Sequence, residues 1–132
     1  MDKFFQDRFI NSLSSTIRPL RIISISIIGK ENIQIVSKLK KEKIGNRYEE
    51  IDFSNINKAD STDLIICTEL FDQTDNPRKV LKELSAKSKK YVLVVAPFWN
   101  SRSLSKLAKT RGLKLIDLKF PLPWAMVLVK KV

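Results

Sequence analysis

The chain has no histidine and one cysteine, Cys67, among its 132 residues. Zinc sites, histidine-based triads and cysteine–histidine nucleophile pairs therefore cannot be assembled within it. A lone cysteine also excludes an intramolecular disulfide, and Cys67 falls in a run that reads as a buried strand. Long apolar runs are missing too. The longest, residues 22–28, is interrupted by Ser24 and Ser26 and falls far short of the ~20 residues that span a bilayer. No basic and apolar leader opens the chain, so a cytosolic (cytoplasmic) location is expected. Repeats, low-complexity tracts and linkers are absent. Residues 1–132 are accordingly expected to fold as one domain, for which a hydrophobic share of 43% supplies a core.

Acidic residues are scarce beside basic ones. Lys and Arg total 25 against 14 for Asp and Glu, a formal net charge of +11. Such a surplus attracts polyanions through a long-range field, or does no more than solvate helix faces. Abundant Lys and Ile with few amides also resembles thermophile composition.

What is present is periodic. Asp2 is placed to cap a first helix in which Phe5, Phe9, Leu13 and Ile17 form one apolar face, and Pro19 ends it. Residues 21–28 (RIISISII) are too short and too β-branched for a helix and predict a strand that leaves at Gly29. From 31 to 43 the period is helical again, with Ile35, Val36 and Leu39 inward and Gly45 as the stop. Residues 47–53 (RYEEIDF) predict a charged edge strand, and 54–62 a loop.

The stretch 63–99 organises the rest. Two short apolar runs, 64–67 and 91–96, flank a segment of helical period. Asn76 followed by Pro77 predicts an N-cap and first turn. Val80, Leu81 and Leu84 form the apolar stripe, and Lys87, Lys89 and Lys90 are expected to close the helix where carbonyl ends favour cations. A crossover of this kind joins parallel strands. Beyond it, Asn100 or Ser101 is expected to cap a helix bearing Leu104, Leu107 and Ala108, with Gly112 at its end. Residues 113–119 and 124–130, separated by Pro121 and Pro123, read as an antiparallel hairpin. The expected class is α/β: a doubly wound, mostly parallel Rossmann-like sheet of about six strands with that hairpin at one edge.

Together these residues resemble a shortened class I S-adenosylmethionine-dependent methyltransferase. Asp63-Leu64-Ile65-Ile66 is similar to the start of the family's fourth strand, and Thr68-Glu69-Leu70-Phe71-Asp72 to the turn after it. The helix opening Asn76-Pro77 and continuing Val80-Leu81-Lys82-Glu83-Leu84 fits the same pattern, as do Val94-Val95-Ala96-Pro97, the turn Arg111-Gly112-Leu113 and the closing hairpin. The likeness covers about Asp63 to the end. In the first half Ser24 stands where the family has an acid, and Ser26 and Ile28 where it has glycines, so Gly29 alone remains. Between Gly29 and Asp63 only one of the family's two strands fits, and Ile51-Asp52-Phe53-Ser54 looks like the close of its second.

The resemblance implies a methyltransferase, or a protein derived from one, that holds S-adenosylmethionine through Gly29, Asp52, Thr68 and Glu69. Asp52 would accept hydrogen bonds from the ribose. An aspartate at a strand end equally stabilises a turn, Glu69 equally suits a solvated loop, and Asp72 and Asp75 suit helix caps. Phe98 and Trp99 would stack on a planar ligand or pack in the core. No Asn-Pro-Pro-aromatic motif follows Cys67, which argues against methylation of amino groups on DNA bases. The alternative is a non-catalytic module binding nucleic acid or protein. Lys40, Lys41, Lys43, Lys87, Lys89 and Lys90 are expected, with Arg18, Arg21, Lys109, Arg111 and Lys114, at the sheet edge opposite the crevice. Glu31, Asp52, Glu69, Asp72 and Asp75 are expected on the crevice side. The helix macrodipole favours such cations by about 0.3–1 kcal/mol each, whereas a nucleic-acid-binding face would use them on phosphates. An exposed sheet edge left by the missing strand would favour a homodimer.

Overall fold

The strands fall where short β-branched runs meet turn residues: β1 (Ser24–Ile28), β2 (Arg47–Ile51), β3 (Thr62–Cys67), β4 (Ser88–Pro97), β5 (Leu113–Lys119) and β6 (Trp124–Lys131). The structure, a computed structural model, describes residues 3–29 and 32–132, the side chains of residues 3–6 and of Asn32 excepted. The expected roles of Asp2, Glu31 and the Phe5 side chain lie outside the described residues. One sheet holds all six strands in the order β2-β1-β3-β4-β6-β5. The first four are parallel, and β6 runs antiparallel to both β4 and β5. The doubly wound sheet with a reversed hairpin is therefore as expected.

Alternate residues of the central strands feed two apolar layers. Ile25, Ile27, Leu64, Ile66, Leu93 and Val95 face helices α1 (Lys3–Ile17) and α2 (Asn32–Lys41), which contribute Leu13, Ile17, Ile35 and Leu39. Ile65, Cys67, Val92 and Val94 face α4 (Pro77–Lys87) and α5 (Ser101–Leu107), which contribute Val80, Leu81, Leu84 and Leu104. A single turn, α3 (Leu70–Gln73), follows β3. The α2 crossover covers one face and the α4 crossover the other, so the winding reverses between β1 and β3. No helix among the described residues is long and apolar enough to cross a membrane.

Several boundaries differ from expectation, each for a local reason. β1 starts at Ser24 and not at 21, because Arg21 takes a left-handed φ of 51° after a 3-10 turn. Residues 53–58 form a 3-10 segment in place of an open loop and carry the chain over β1 by burying Ile56 and Ala59. Lys43, at φ 57°, makes the left-handed stop assigned to Gly45, and the Ile44 N–H returns to the Leu39 carbonyl at 2.9 Å. Gly45 instead lies against β1, where a Cβ would come 3.0 Å from Ile25 Cδ1 and 3.1 Å from the Ile23 carbonyl oxygen.

Asn76 caps α4 as expected, its Oδ1 accepting the Lys79 N–H at 3.2 Å. That helix stops at Lys87. The Ser88 hydroxyl donates to the Tyr91 carbonyl at 2.7 Å and accepts the Lys90 N–H at 3.2 Å, so Lys89 and Lys90 belong to β4 and do not close the helix. Neither Asn100 nor Ser101 caps α5 through its side chain; a 3-10 turn over Phe98–Asn100 leads into it.

Asp63 ties the start of β1 to β3. Its carboxylate accepts the N–H groups of Ile23 at 2.9 Å and Ser24 at 3.3 Å, and its own N–H donates to Ser24 Oγ at 2.9 Å. Beneath it the buried hydroxyls of Ser26 and Thr62 meet at 2.9 Å. The Ile23 N–H, then the Ser24 N–H and the charges of Lys90 and Lys89, hold the Asp63 carboxyl below its ordinary range against the opposing effect of burial. A depressed carboxylate stabilises the fold above its unfolded pKa of about 4 and loses that contribution as pH falls through the folded value. Asp63→Ala should therefore cost about 1–3 kcal/mol at neutral pH, and the difference from the parent should shrink below about pH 4. Urea unfolding at the two pH values checks both.

Candidate functional site

In an open doubly wound sheet, ligands sit beyond the carboxyl ends of the strands where the winding reverses. Ile28 ends β1 and is in register with Cys67 at the end of β3 and with Ile51 at the end of β2. Gly29, Asp52 and Thr68 each follow one of these residues directly, and Glu69 comes one position later. The four sequence candidates thus share one edge of the sheet. Side-chain placement separates them.

Thr68 crosses the exit of β1. Its N–H donates to the Ile28 carbonyl at 3.0 Å and its hydroxyl to the same oxygen at 3.4 Å. Gly29 sits there at φ 125°, and a Cβ added to it would collide with Thr68 Oγ1 and lie 3.3 Å from Glu69 Cγ. The glycine is required by this close approach and by its backbone conformation. Ile28 is fully buried among Ile51, Ile56 and Cys67, so its side chain is core and not crevice. Nearby, the recess lined by Thr68, Glu69, Leu70, Val95, Ala96 and Pro97 has no room for a water molecule. The ends of β1 and β3 are thus closely packed where Gly29 meets Thr68.

Ser24 begins β1, at the far end from this edge, and bonds to Asp63; Ser26 is buried against Thr62. Both serines hold β1 to β3.

Asp52 is exposed where β2 ends and makes no side-chain cap to the turn that follows. Beside it a groove of about 370 Å³ is lined by Glu49, Glu50, Asp52, Asn55 and Lys58, among others. It runs along the outer side of β2, which is the last strand on that side of the sheet. Glu49 Oε1 accepts the Asp60 N–H there at 3.2 Å. Glu69 opens α3, its carbonyl taking the N–H groups of Asp72 and Gln73 at 3.1 Å each. Asp72 lies within α3, and α4 is capped by Asn76, so neither Asp72 nor Asp75 is a cap.

Burial pushes the Cys67 thiol up to about 12, which leaves it protonated and unreactive at neutral pH. Among the described residues no group of three His, Cys, Asp or Glu side chains could hold a metal ion. Phe98 and Trp99 are not core residues: they are 49% and 78% exposed on the turn after β4. Pro97 is the signal for this, since it closes the strand and turns the next residues out of the sheet.

Of the candidate nucleic-acid contacts, Lys40 and Lys41 end α2, Lys43 lies in its closing turn, and Lys89 and Lys90 are in β4; all five are exposed. Lys40 lies over the Tyr48 ring, 5.6 Å from its centroid. Lys87 is used internally, with Nζ donating to the Asn57 carbonyl at 3.0 Å and the Ala59 carbonyl at 3.5 Å.

Comparison with known proteins gives a fold. No protein-family model and no curated protein sequence matches the chain. The methyltransferase domain of bacterial CtHen1-CN superposes with a TM-score of 0.68 at 12% identity, over 96% of this chain and 99% of that one. The plantazolicin methyltransferase BpumL, in complex with a substrate analogue and SAH, gives 0.67 at 12% identity, over 98% and 85% of the two chains. The magnesium protoporphyrin IX methyltransferase ChlM from Synechocystis PCC 6803, with bound SAH, gives 0.64 at 8% identity, over 98% and 84%.

Two outcomes test this packing. Gly29→Ala should destabilise the protein by about 1–3 kcal/mol through backbone strain alone, plus the collision with Thr68, and Thr68→Ala in the same chain should restore only the collision part. Thermal and urea unfolding of the single and double variants measures the split. Separately, Cys67 should resist a thiol reagent in the folded protein and react only at the rate of unfolding.

Proposed function

We propose that this chain, which carries the sheet and topology of class I S-adenosylmethionine-dependent methyltransferases, is a degenerate member of that fold, without methyl-transfer chemistry of its own, that works as a non-catalytic binding protein. The observation that supports this most is the seating of Thr68 across Gly29. Methyl transfer depends chiefly on aligning a sulfonium with its acceptor, and the resemblance implies that the methionine part of the cofactor lies against bare backbone at the end of the first strand. In this chain the Thr68 side chain packs against that glycine, and the residue before the glycine is committed to the core; both support the reading.

A second reading keeps the cofactor, and Asp52 favours it. An exposed carboxylate at the end of β2, next to a groove of about 370 Å³, suits ribose hydroxyls, and similar folds have been solved with SAM or SAH bound. Calorimetric titration with S-adenosylmethionine and S-adenosylhomocysteine decides between the two. We expect no binding heat up to millimolar ligand. Micromolar binding that is lost in Asp52→Ala would overturn the non-catalytic reading and establish the second.

A further inference from the structure

The macrodipole accounts for cations at helix ends, but five lysines stand at one end of three neighbouring strands. Lys89 and Lys90 open β4, Lys130 and Lys131 close β6, and Lys114 lies at the start of β5. Lys130 is the register partner of Tyr91, next to Lys90, and of Lys114. The five therefore meet at one corner, at the opposite end of the strands from Gly29 and Asp52.

Strands carry little net dipole, so Lys114, Lys130 and Lys131 gain nothing of the kind available at a helix terminus; Lys89 and Lys90 come just past the α4 cap at Ser88. Lys114 and Lys130 stand directly opposite each other on neighbouring strands, an arrangement in which like charges destabilise a sheet. All five are exposed, and among the described residues none has a carboxylate at ion-pair distance; the pairs formed are Arg18–Glu42, Lys38–Glu42 and Lys119–Asp117. Asp63, whose charge lies near Lys89 and Lys90, is occupied by the N–H groups of Ile23 and Ser24. Lys131 Nζ donates to the Ser88 carbonyl at 3.2 Å. Five lysines with the single Asp63 charge near two of them leave a net positive, self-repelling cluster, which an external polyanion stabilises.

We propose that this corner binds the phosphate backbone of duplex nucleic acid. Strands lie about 4.8 Å apart, so the lysines on β4, β6 and β5 extend over about 10 Å, a length of duplex axis that carries about six phosphate charges. The exposed aromatic rings Phe98, Trp99 and Phe120 are on other segments, at or beyond the far ends of β4 and β5, and Tyr91 is packed into the α1–α2 layer. Without a stacking platform the surface engages phosphates and does not read or stack on bases. The corner is remote from the crevice and does not depend on the function proposed above.

Fluorescence anisotropy with a short labelled DNA duplex, its RNA counterpart and a single strand of the same sequence tests the proposal. Either duplex should bind at low salt, more tightly than the single strand. Changing Lys89, Lys90, Lys114 and Lys130 together to Gln should weaken binding by about tenfold or more and reduce the slope of log affinity against log salt by about 3–4. The same variant should melt no lower than the parent, because the Lys114–Lys130 repulsion is removed. A control variant, Lys79→Gln with Lys82→Gln on the exposed face of α4, should bind like the parent. Four results would overturn the proposal: no binding at low salt, an equal loss in the α4 control, tighter binding of the single strand, or binding to phosphatidylserine vesicles under conditions where neither duplex binds.

Discussion

Parallel pairing of β1 with β3 is the constraint from which the rest of the molecule follows. Both strands are buried on both faces, so their polar backbone must be satisfied within the sheet and their ends must be held in register by local chemistry. At the amino ends, Asp63 takes the N–H groups of Ile23 and Ser24, with the Ser26–Thr62 hydroxyl pair beneath. At the carboxyl ends, Thr68 donates to the Ile28 carbonyl. With the pair clamped at both ends, the crossovers are forced to opposite faces, and the edge where ligands sit in such sheets is defined.

The same clamp packs Thr68 against Gly29 at that edge. Thr68 and Gly29 fit one another so closely that the glycine is accounted for by packing alone. A groove of about 370 Å³ lies beside β2, the last strand on its side of the sheet, where Glu49, Glu50 and Asp52 make the lining acidic.

Charge divides along the strand direction. Acidic Asp52, Glu69 and Asp72 gather at the carboxyl edge, while the other edge collects cations from two physically distinct sources. Those on α2 and its closing turn complement helix carbonyls, and Lys87 is spent on a neighbouring turn. Of those that open β4 and β5 and close β6, none forms an ion pair among the described residues, and Asp63 is the carboxylate whose charge lies near Lys89 and Lys90. A net charge of +11 says only that cations are in excess; the register between β4, β6 and β5 says which of them crowd together.

The organisation from Asp63 onward was legible in the order of residues, because the signals there are local: Asn76-Pro77 opens a helix, β-branched runs bounded by turns make strands, and Pro121 with Pro123 separates two of them. The shortened first half was legible for the same reason, since chain length alone leaves room for a single strand between Gly29 and Asp63. The resemblance, in turn, assigned Gly29, Asp52, Thr68 and Glu69 to one site. It did not tell a glycine kept for a ligand from a glycine kept for Thr68, because the two residues are distant in sequence and meet only through the β1–β3 register. Nor did it place Lys89 and Lys90 on a strand, or set Lys114 against Lys130, since both facts arise from Ser88 breaking the helix and from long-range strand pairing. Periodicity and turn chemistry act over a few residues and can be read along the chain; contact between distant segments depends on how the whole sheet closes, and exists only once it has.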